Sequence, residues 1–201
     1  MTNRPAVLAL HYQNDVLHPE GRIRVALAID DVNRTALLEA AGQLLTGARK
    51  RAWPIIHVRV AFREDYADCP RNMPIFRRVI DLRAVCEGHW GSDFMLGLEP
   101  QIGPLEFVLT HTRISAFAGS PLAHILTQFR TTRLLVGGVA THSVVEGTVR
   151  DAADRGYEIW VAADACSAAT SSSHQGALEN MALLASISTV QNSFAFLEAL
   201  R

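Results

Sequence analysis

Lysine is almost absent from this chain. Of 19 basic residues among 201, only Lys50 is a lysine and the others are arginines. Cysteine is scarce as well. Cys69, Cys86 and Cys166 are odd in number, far apart, and form no CxxC or CxxxH set, so neither a zinc site nor a disulfide framework is indicated. Each reads as a free thiol, Cys69 in a loop beside Pro70. There is no surplus of charge: 19 basic residues against 20 acidic ones give a net charge of -1, which excludes sequence-independent binding to nucleic acid. No apolar run is long enough to span a bilayer. The opening stretch, MTNRPAVLALHYQND, has too short an apolar run for a signal-peptide core, and Gln-Asn-Asp stands where a small-residue cleavage site would be. A soluble cytoplasmic protein is expected.

What is present is apolar substance, 49% hydrophobic against 19% charged, enough to exclude disorder. The length suits a single domain over residues 1–201. Short apolar runs alternate with helical patterns. Strands are expected at Ala6–Leu10, Pro54–Val60, Phe107–Thr110, Arg133–Val136, Glu158–Val161 and Ser186–Val190. Their near-continuous apolarity suits strands covered on both faces, as in a parallel sheet. Between them, Asp31–Arg49 carries Val32, Ala36, Leu37, Ala40, Ala41, Leu44 and Leu45 at helical spacing. Ser120-Pro121 reads as an N-cap and first helical residue of a helix through Arg130. Ser143–Arg155 is a further helix with Gly156 to stop it, and His174–Leu184 and Phe194–Leu200 supply the last two. The alternation predicts a doubly wound α/β sheet.

One segment breaks this rhythm. Ala61–Pro104 mixes charges, Pro, Gly and aromatics and is too long for a simple crossover, which suits a lid or pocket wall. Ligands of open α/β sheets bind beyond the C-terminal ends of the strands. That directs attention to His11, Ala61–Arg63, His111–Phe117, Gly137–Val144 and Ala163–Ser167.

The segments HYQNDVLHPEG, THTRISAFAGSPL and VGGVATHSVVEGTVRDAADRGYEIWVAADACSA follow the first, third and fourth strands. In this order and spacing they resemble the isochorismatase-like hydrolases, a superfamily that includes nicotinamidases and N-carbamoylsarcosine amidohydrolases. The resemblance runs from Pro5 to near Val190. It implies a three-layer sandwich around a six-stranded parallel sheet in the order 3-2-1-4-5-6, a small-molecule substrate or ligand, and a homo-oligomer. Most amidohydrolases of this group use an Asp, a Lys and a nucleophilic Cys after the first, third and fourth strands. A thiolate at a helix N-terminus gains from the helix dipole, the carboxylate takes the thiol proton, and the ammonium balances charge.

Here the resemblance places His11 at the Asp position, His111 at the Lys position and Val144 at the Cys position. Lys50 lies on the first long helix, and no cysteine stands between Cys86 and Cys166 to take the place of the thiol. The thiol mechanism is therefore not expected. Nor is the variant in which the acid protonates a vinyl ether, since the acid is missing too. The Asp-x-His metal motif of nicotinamidases corresponds to Val60-Ala61-Phe62, so neither a metal nor another cofactor is expected.

Two histidines remain. Imidazole is the side chain that exchanges protons near neutrality, and a close pair should titrate in two steps, with one ring neutral and one charged around pH 7. His11 and His111 are thus candidates for an acid–base couple. The competing reading is a non-catalytic relative in which they only hydrogen-bond and the pocket or surface serves ligand sensing or assembly. Ser143 is either a nucleophile with a histidine base or, more plainly, a helix N-cap. Val139 and Ala140 match the oxyanion-hole segment of the superfamily, which contains a non-proline cis peptide. Arg113 is a candidate clamp for a substrate carboxylate, and Phe62, Trp90 and Phe117 are candidate apolar walls. His142 faces either the pocket or a subunit interface, while His18, His57 and His174 read as structural.

Overall fold

The structure, a computed structural model, describes residues 4–24 and 32–200. Strands β1 (Ala6–Leu10), β2 (Ile55–Val60), β3 (Glu106–His111), β4 (Arg133–Val139), β5 (Glu158–Ser167) and β6 (Ser186–Ser188) form one sheet in the order 3-2-1-4-5-6. All neighbouring pairs are parallel. The helices are α1 (Asn14–Leu17), α2 (Val32–Lys50), α3 (Pro74–Leu82), α4 (Leu122–Gln128), α5 (Glu146–Asp154), α6 (Ser171–Met181) and α7 (Val190–Ala199).

β1 shows why the sequence chooses this architecture. All five of its residues are buried, because both faces of the central strand are covered. Val7 and Ala9 pack with Leu44, Leu45 and Phe194 from α2 and α7. Ala6, Leu8 and Leu10 pack with Leu122, Leu126, Val149 and Met181 from α4, α5 and α6. A third apolar cluster, Phe62, Tyr66, Phe76, Val79 and Val85 among it, gathers the segment between β2 and β3 into a small core of its own. Among the described residues no helix is long and apolar enough to cross a membrane.

Element boundaries depart from expectation where polar side chains intervene. Asp31, the expected start of the first long helix, lies outside the described residues, as does the side chain of Val32. Ser120 is not the N-cap of α4. Pro121 holds that place, and the Ser120 hydroxyl accepts the N–H of Leu122, so the helix opens one residue late; it ends by Phe129, with Arg130 in a left-handed conformation. Ser143 is likewise not an N-cap, because a π-helical turn over Thr141–Val145 begins the helix earlier and the Ser143 N–H donates to the Ala140 carbonyl. Thr170 and Thr189 cap α6 and α7, so both helices start earlier than the apolar pattern suggests and β6 is cut short. β4 and β5 run on through Val139 and Ser167, which brings two of the expected post-strand segments partly into the sheet. Gly156 stops α5 as expected, at φ 84°.

Two glycines set the approach of β4 to the centre. A Cβ on Gly137 would meet Leu44 Cδ2 at 2.7 Å and the Tyr12 hydroxyl at 2.8 Å. One on Gly138 would lie 2.5 Å from both Cβ and the carbonyl oxygen of its partner Leu10, where β4 also shifts register against β5. This close pass puts Val139 and Ala140 beside His11. Gly138→Ala is expected to cost about 1–3 kcal/mol through forced separation of the two strands. Urea unfolding should show a lower midpoint at unchanged slope; a midpoint equal to wild type would show that the strands part without cost.

Candidate functional site

The site is built on the turn that follows β1. Gln13, Asn14 and Asp15 are buried there and their side chains hold the β2–β3 segment in place. The Gln13 amide donates to the carbonyls of Val60 and Ser92 at 2.9 Å, and its oxygen accepts the Val60 N–H at 2.9 Å. Asn14 donates to the Trp90 carbonyl at 2.9 Å. The Asp15 carboxylate accepts N–H groups from Arg22 and Val85, at 3.0 and 2.6 Å. With its far end anchored, the segment lays α3 across the C-terminal edge of the sheet. Pro74 at the start of α3, followed by apolar residues at 75, 76, 79 and 80, is a helix signal that the mixed composition around it obscures.

His11 begins that turn at φ 56°, a left-handed conformation that costs a non-glycine residue about 1–3 kcal/mol and persists only where its surroundings enforce it. Its N–H continues the sheet ladder to Val58. His111 is the last residue of β3 and is buried. The two Nε2 atoms lie 2.6 Å apart, within hydrogen-bond contact. His111 Nδ1 is 3.2 Å from the Ser115 carbonyl, which can only accept. The proton of neutral His111 is therefore assigned to Nδ1, and its Nε2 is a lone pair. His11 must then donate from Nε2, which leaves Nδ1 of His11 as a bare base with no protein partner among the described residues. Ser115 is itself fixed, its hydroxyl donating to Asp151 at 2.7 Å.

Burial pushes His111 down to about 4, the bond to Ser115 opposing it only in part. His11 is held well below the ordinary histidine value, first by burial and then by the adjacent His111. Both rings are thus neutral at pH 7. This corrects the expectation of one neutral and one charged ring: desolvation acts on both members, not only the repulsion between them.

A cavity of about 290 Å³ opens above His11. Val139, Ala140, Ser143, Val144 and Arg113 line it, together with His142 at its exposed mouth. His111 does not line it but lies behind His11 as its support. The Ser143 hydroxyl makes no hydrogen bond to either histidine among the described residues. The peptide Val139–Ala140 is cis. Three expected walls do not line the cavity. Phe62 is fully buried one layer behind Phe76, at a ring distance of 5.7 Å, and it is Phe76 that reaches the cavity. Phe117 stacks on Tyr157 beneath the Arg155 guanidinium. Trp90 is half exposed and packs on His18. The walls are supplied instead by Val16, Val60, Val79 and Ile114, with Ile75 and Phe76.

Two histidines expected to be structural have local partners: His57 contacts Glu106 at 2.9 Å and His174 contacts Thr141 at 2.8 Å. All three cysteines are free and buried. Burial raises their thiols, to about 11 at Cys69 and about 12 at Cys166. Among the described residues no three His, Cys, Asp or Glu side chains gather as a metal site.

The description "Isochorismatase domain" matches residues 5–192. The chain belongs to the isochorismatase family. It is 26% identical over 148 residues to the uncharacterized isochorismatase family protein YecD of Escherichia coli O157:H7, covering 72% of this chain and 74% of that one. It is 28% identical over 169 residues to the ureidoacrylate amidohydrolase RutB of Methylorubrum extorquens, covering 77% and 67%. Among solved structures, an isochorismatase family protein from Desulfovibrio vulgaris superposes with a TM-score of 0.84 at 28% identity, over 98% of this chain and 100% of that one.

In this isochorismatase-family site the neutrality of the pair has a consequence for stability. The unfolded histidines take up protons at about pH 6.5, while the folded ones resist. Their contribution is complete above that pH and is lost as the pH falls, for His111 down to about 4. Thermal unfolding temperature should drop between pH 7 and 4.5, and the drop should be shallower in His111→Asn. NMR at pH 6 should show His111 neutral with its proton on Nδ1. A His111 ring titrating at 6.5 would refute the burial argument.

Proposed function

We propose that this protein hydrolyses a small molecule with His11 as the general base and then the general acid, held by His111, using neither a thiol nucleophile nor a metal. The observation that carries the reading is the unpartnered Nδ1 of a neutral His11 that lines a cavity while its other nitrogen is bonded to His111. Relatives named as hydrolases of amide-type bonds, RutB among them, support hydrolysis as the reaction class.

A water molecule in the cavity gives a proton to His11 Nδ1 while its oxygen bonds to the carbonyl carbon of the substrate, whose π pair moves onto the carbonyl oxygen. The imidazolium so formed still donates Nε2–H to the lone pair of His111, which spreads the charge without a second protonation. The pair on the carbonyl oxygen then re-forms the carbonyl as the bond from carbon to the leaving group breaks, the leaving group takes the proton from Nδ1, and neutral His11 returns. Proton transfer of this kind is worth about 10²–10⁴-fold in rate. The lowered basicity weakens the base but keeps it unprotonated at pH 7. The resemblance reads Val144 at the position of the family thiol, and the buried, raised cysteines support a thiol-independent route.

Turnover of a panel of small amides, ureido and carbamoyl compounds tests the proposal. His11→Asn and His111→Asn should each lower kcat/KM by about 10²-fold or more, and the double variant should lose little beyond that, as residues acting in one unit do. Activity should hold at neutral pH and fall in acid, and thiol alkylation should leave it intact. Ligand binding without turnover, unaffected by either substitution, would sustain the non-catalytic reading instead.

A further inference from the structure

Two neutral imidazoles in contact through their Nε2 atoms can share their two protons in two ways. In one, His111 carries its proton on Nδ1 and His11 on Nε2, which leaves Nδ1 of His11 bare. In the other, His111 donates from Nε2 and the proton of His11 sits on Nδ1, so the nitrogen that faces no partner is already occupied. The Ser115 carbonyl, 3.2 Å from His111 Nδ1, selects the first arrangement, because the second would set lone pair against lone pair. That carbonyl belongs to the planar peptide between Ser115 and Ala116. The other side of the peptide is held by α5: the Ala116 N–H donates to the Thr148 hydroxyl at 3.0 Å. One helical turn on, the Asp151 carboxylate accepts the Ser115 hydroxyl at 2.7 Å, and that hydroxyl in turn accepts the Phe117 N–H at 3.1 Å. Asp151 is itself held by Arg155 at 2.6 Å, and the same guanidinium lies over the Phe117 ring. Thr148 is fully buried, and a spacing of three residues puts it and Asp151 on one face of the helix. Both stand in the segment GTVRDAADRGYE, whose polar residues the proposed reaction leaves without a role.

We infer that Thr148 and Asp151 are positioning residues for His11: by holding the peptide between Ser115 and Ala116 they fix the tautomer of His111 and so keep Nδ1 of His11 free to take a proton. This rests on reading His11 as the base and adds the part of the chain that sets it. What the two residues must supply is narrow. The peptide N–H needs an oxygen acceptor away from water, which a threonine hydroxyl provides and a valine of the same shape does not. A buried N–H left without one is costly enough to turn the peptide. The Ser115 hydroxyl needs an acceptor that also answers Arg155, and a carboxylate does so with its two oxygens. Neither Thr148 nor Asp151 lines the cavity, so their effect reaches the base through the Ser115 carbonyl.

Long-range proton–nitrogen NMR of the full chain at neutral pH, where both rings are uncharged, reads the tautomers directly. The wild type should show His111 protonated on Nδ1 and His11 on Nε2. Thr148→Val and Asp151→Ala should each raise the share of the other tautomer by roughly tenfold, the size of one buried or charge-assisted hydrogen bond. Thr148→Ser keeps the hydroxyl and should stay with the wild type. Arg150→Gly weakens the same helix from its exposed side, so it should lower stability and leave both tautomers unchanged. A merely structural role for Thr148 and Asp151 would give that same result in their variants. For any compound turned over, Thr148→Val and Asp151→Ala should lower kcat by more than they raise KM. Unchanged tautomers in both variants, or a wild-type His111 protonated on Nε2, would overturn the inference; where one variant fails to fold, the other decides. Shifted tautomers with no turnover by the wild type would defeat the hydrolytic reading and leave the control of the pair by α5 standing. Turnover with tautomers that do not shift would do the reverse.

Discussion

The site depends on three buried polar side chains that do no chemistry. Gln13, Asn14 and Asp15 reach across from the end of β1 to backbone groups at residues 60, 85, 90 and 92, so the long segment between β2 and β3 is fastened at both ends. Buried polar atoms of this kind are costly unless every one is satisfied. The Asp15 carboxylate has no room to spare, since a Cβ on Gly91 would come 2.1 Å from it. This fastening holds the segment that carries α3 and its cavity-lining residues. Without it Phe76, Arg78 and Val79 would not face His11.

The same turn fixes the histidine pair. The left-handed backbone at His11 directs its ring toward β3, where His111 ends the strand, and the Ser115 carbonyl then dictates a tautomer for both rings. A single backbone oxygen thereby decides which nitrogen of His11 is basic. The pair resembles the arrangement in which a base is oriented by a third group, with a carbonyl in place of a carboxylate. A carbonyl orients without adding a charge, so burial is free to lower both rings.

Much of the sheet was legible because buried parallel strands are read as apolar runs, and β1 matches from Ala6 to Leu10. The place of the cavity is legible too, since strand ends and motif segments meet there: His11 and Val144 line it and His111 lies behind His11. Helix starts at Ser171 and Val190 are not legible from apolar spacing, because threonine caps begin them. The cavity walls were the least legible part. Phe62 and Phe117 have the composition of wall residues, but whether an aromatic faces a cavity or the layer behind it depends on packing between distant segments. The protonation state of the pair escapes the sequence for a related reason: proximity follows from the resemblance of positions, whereas burial does not.

The scarcity of lysine acquires a physical meaning at the cavity. Guanidinium groups do not lose their charge anywhere in the accessible pH range, whereas an ammonium group in an apolar hollow readily does. With Arg24, Arg78 and Arg113 lining the cavity and the neutral imidazole of His11 at its floor, the positive charge of the lining and the readiness of the base are set by different groups. Above the depressed histidine range both conditions hold at once. Acid removes the second and leaves the first.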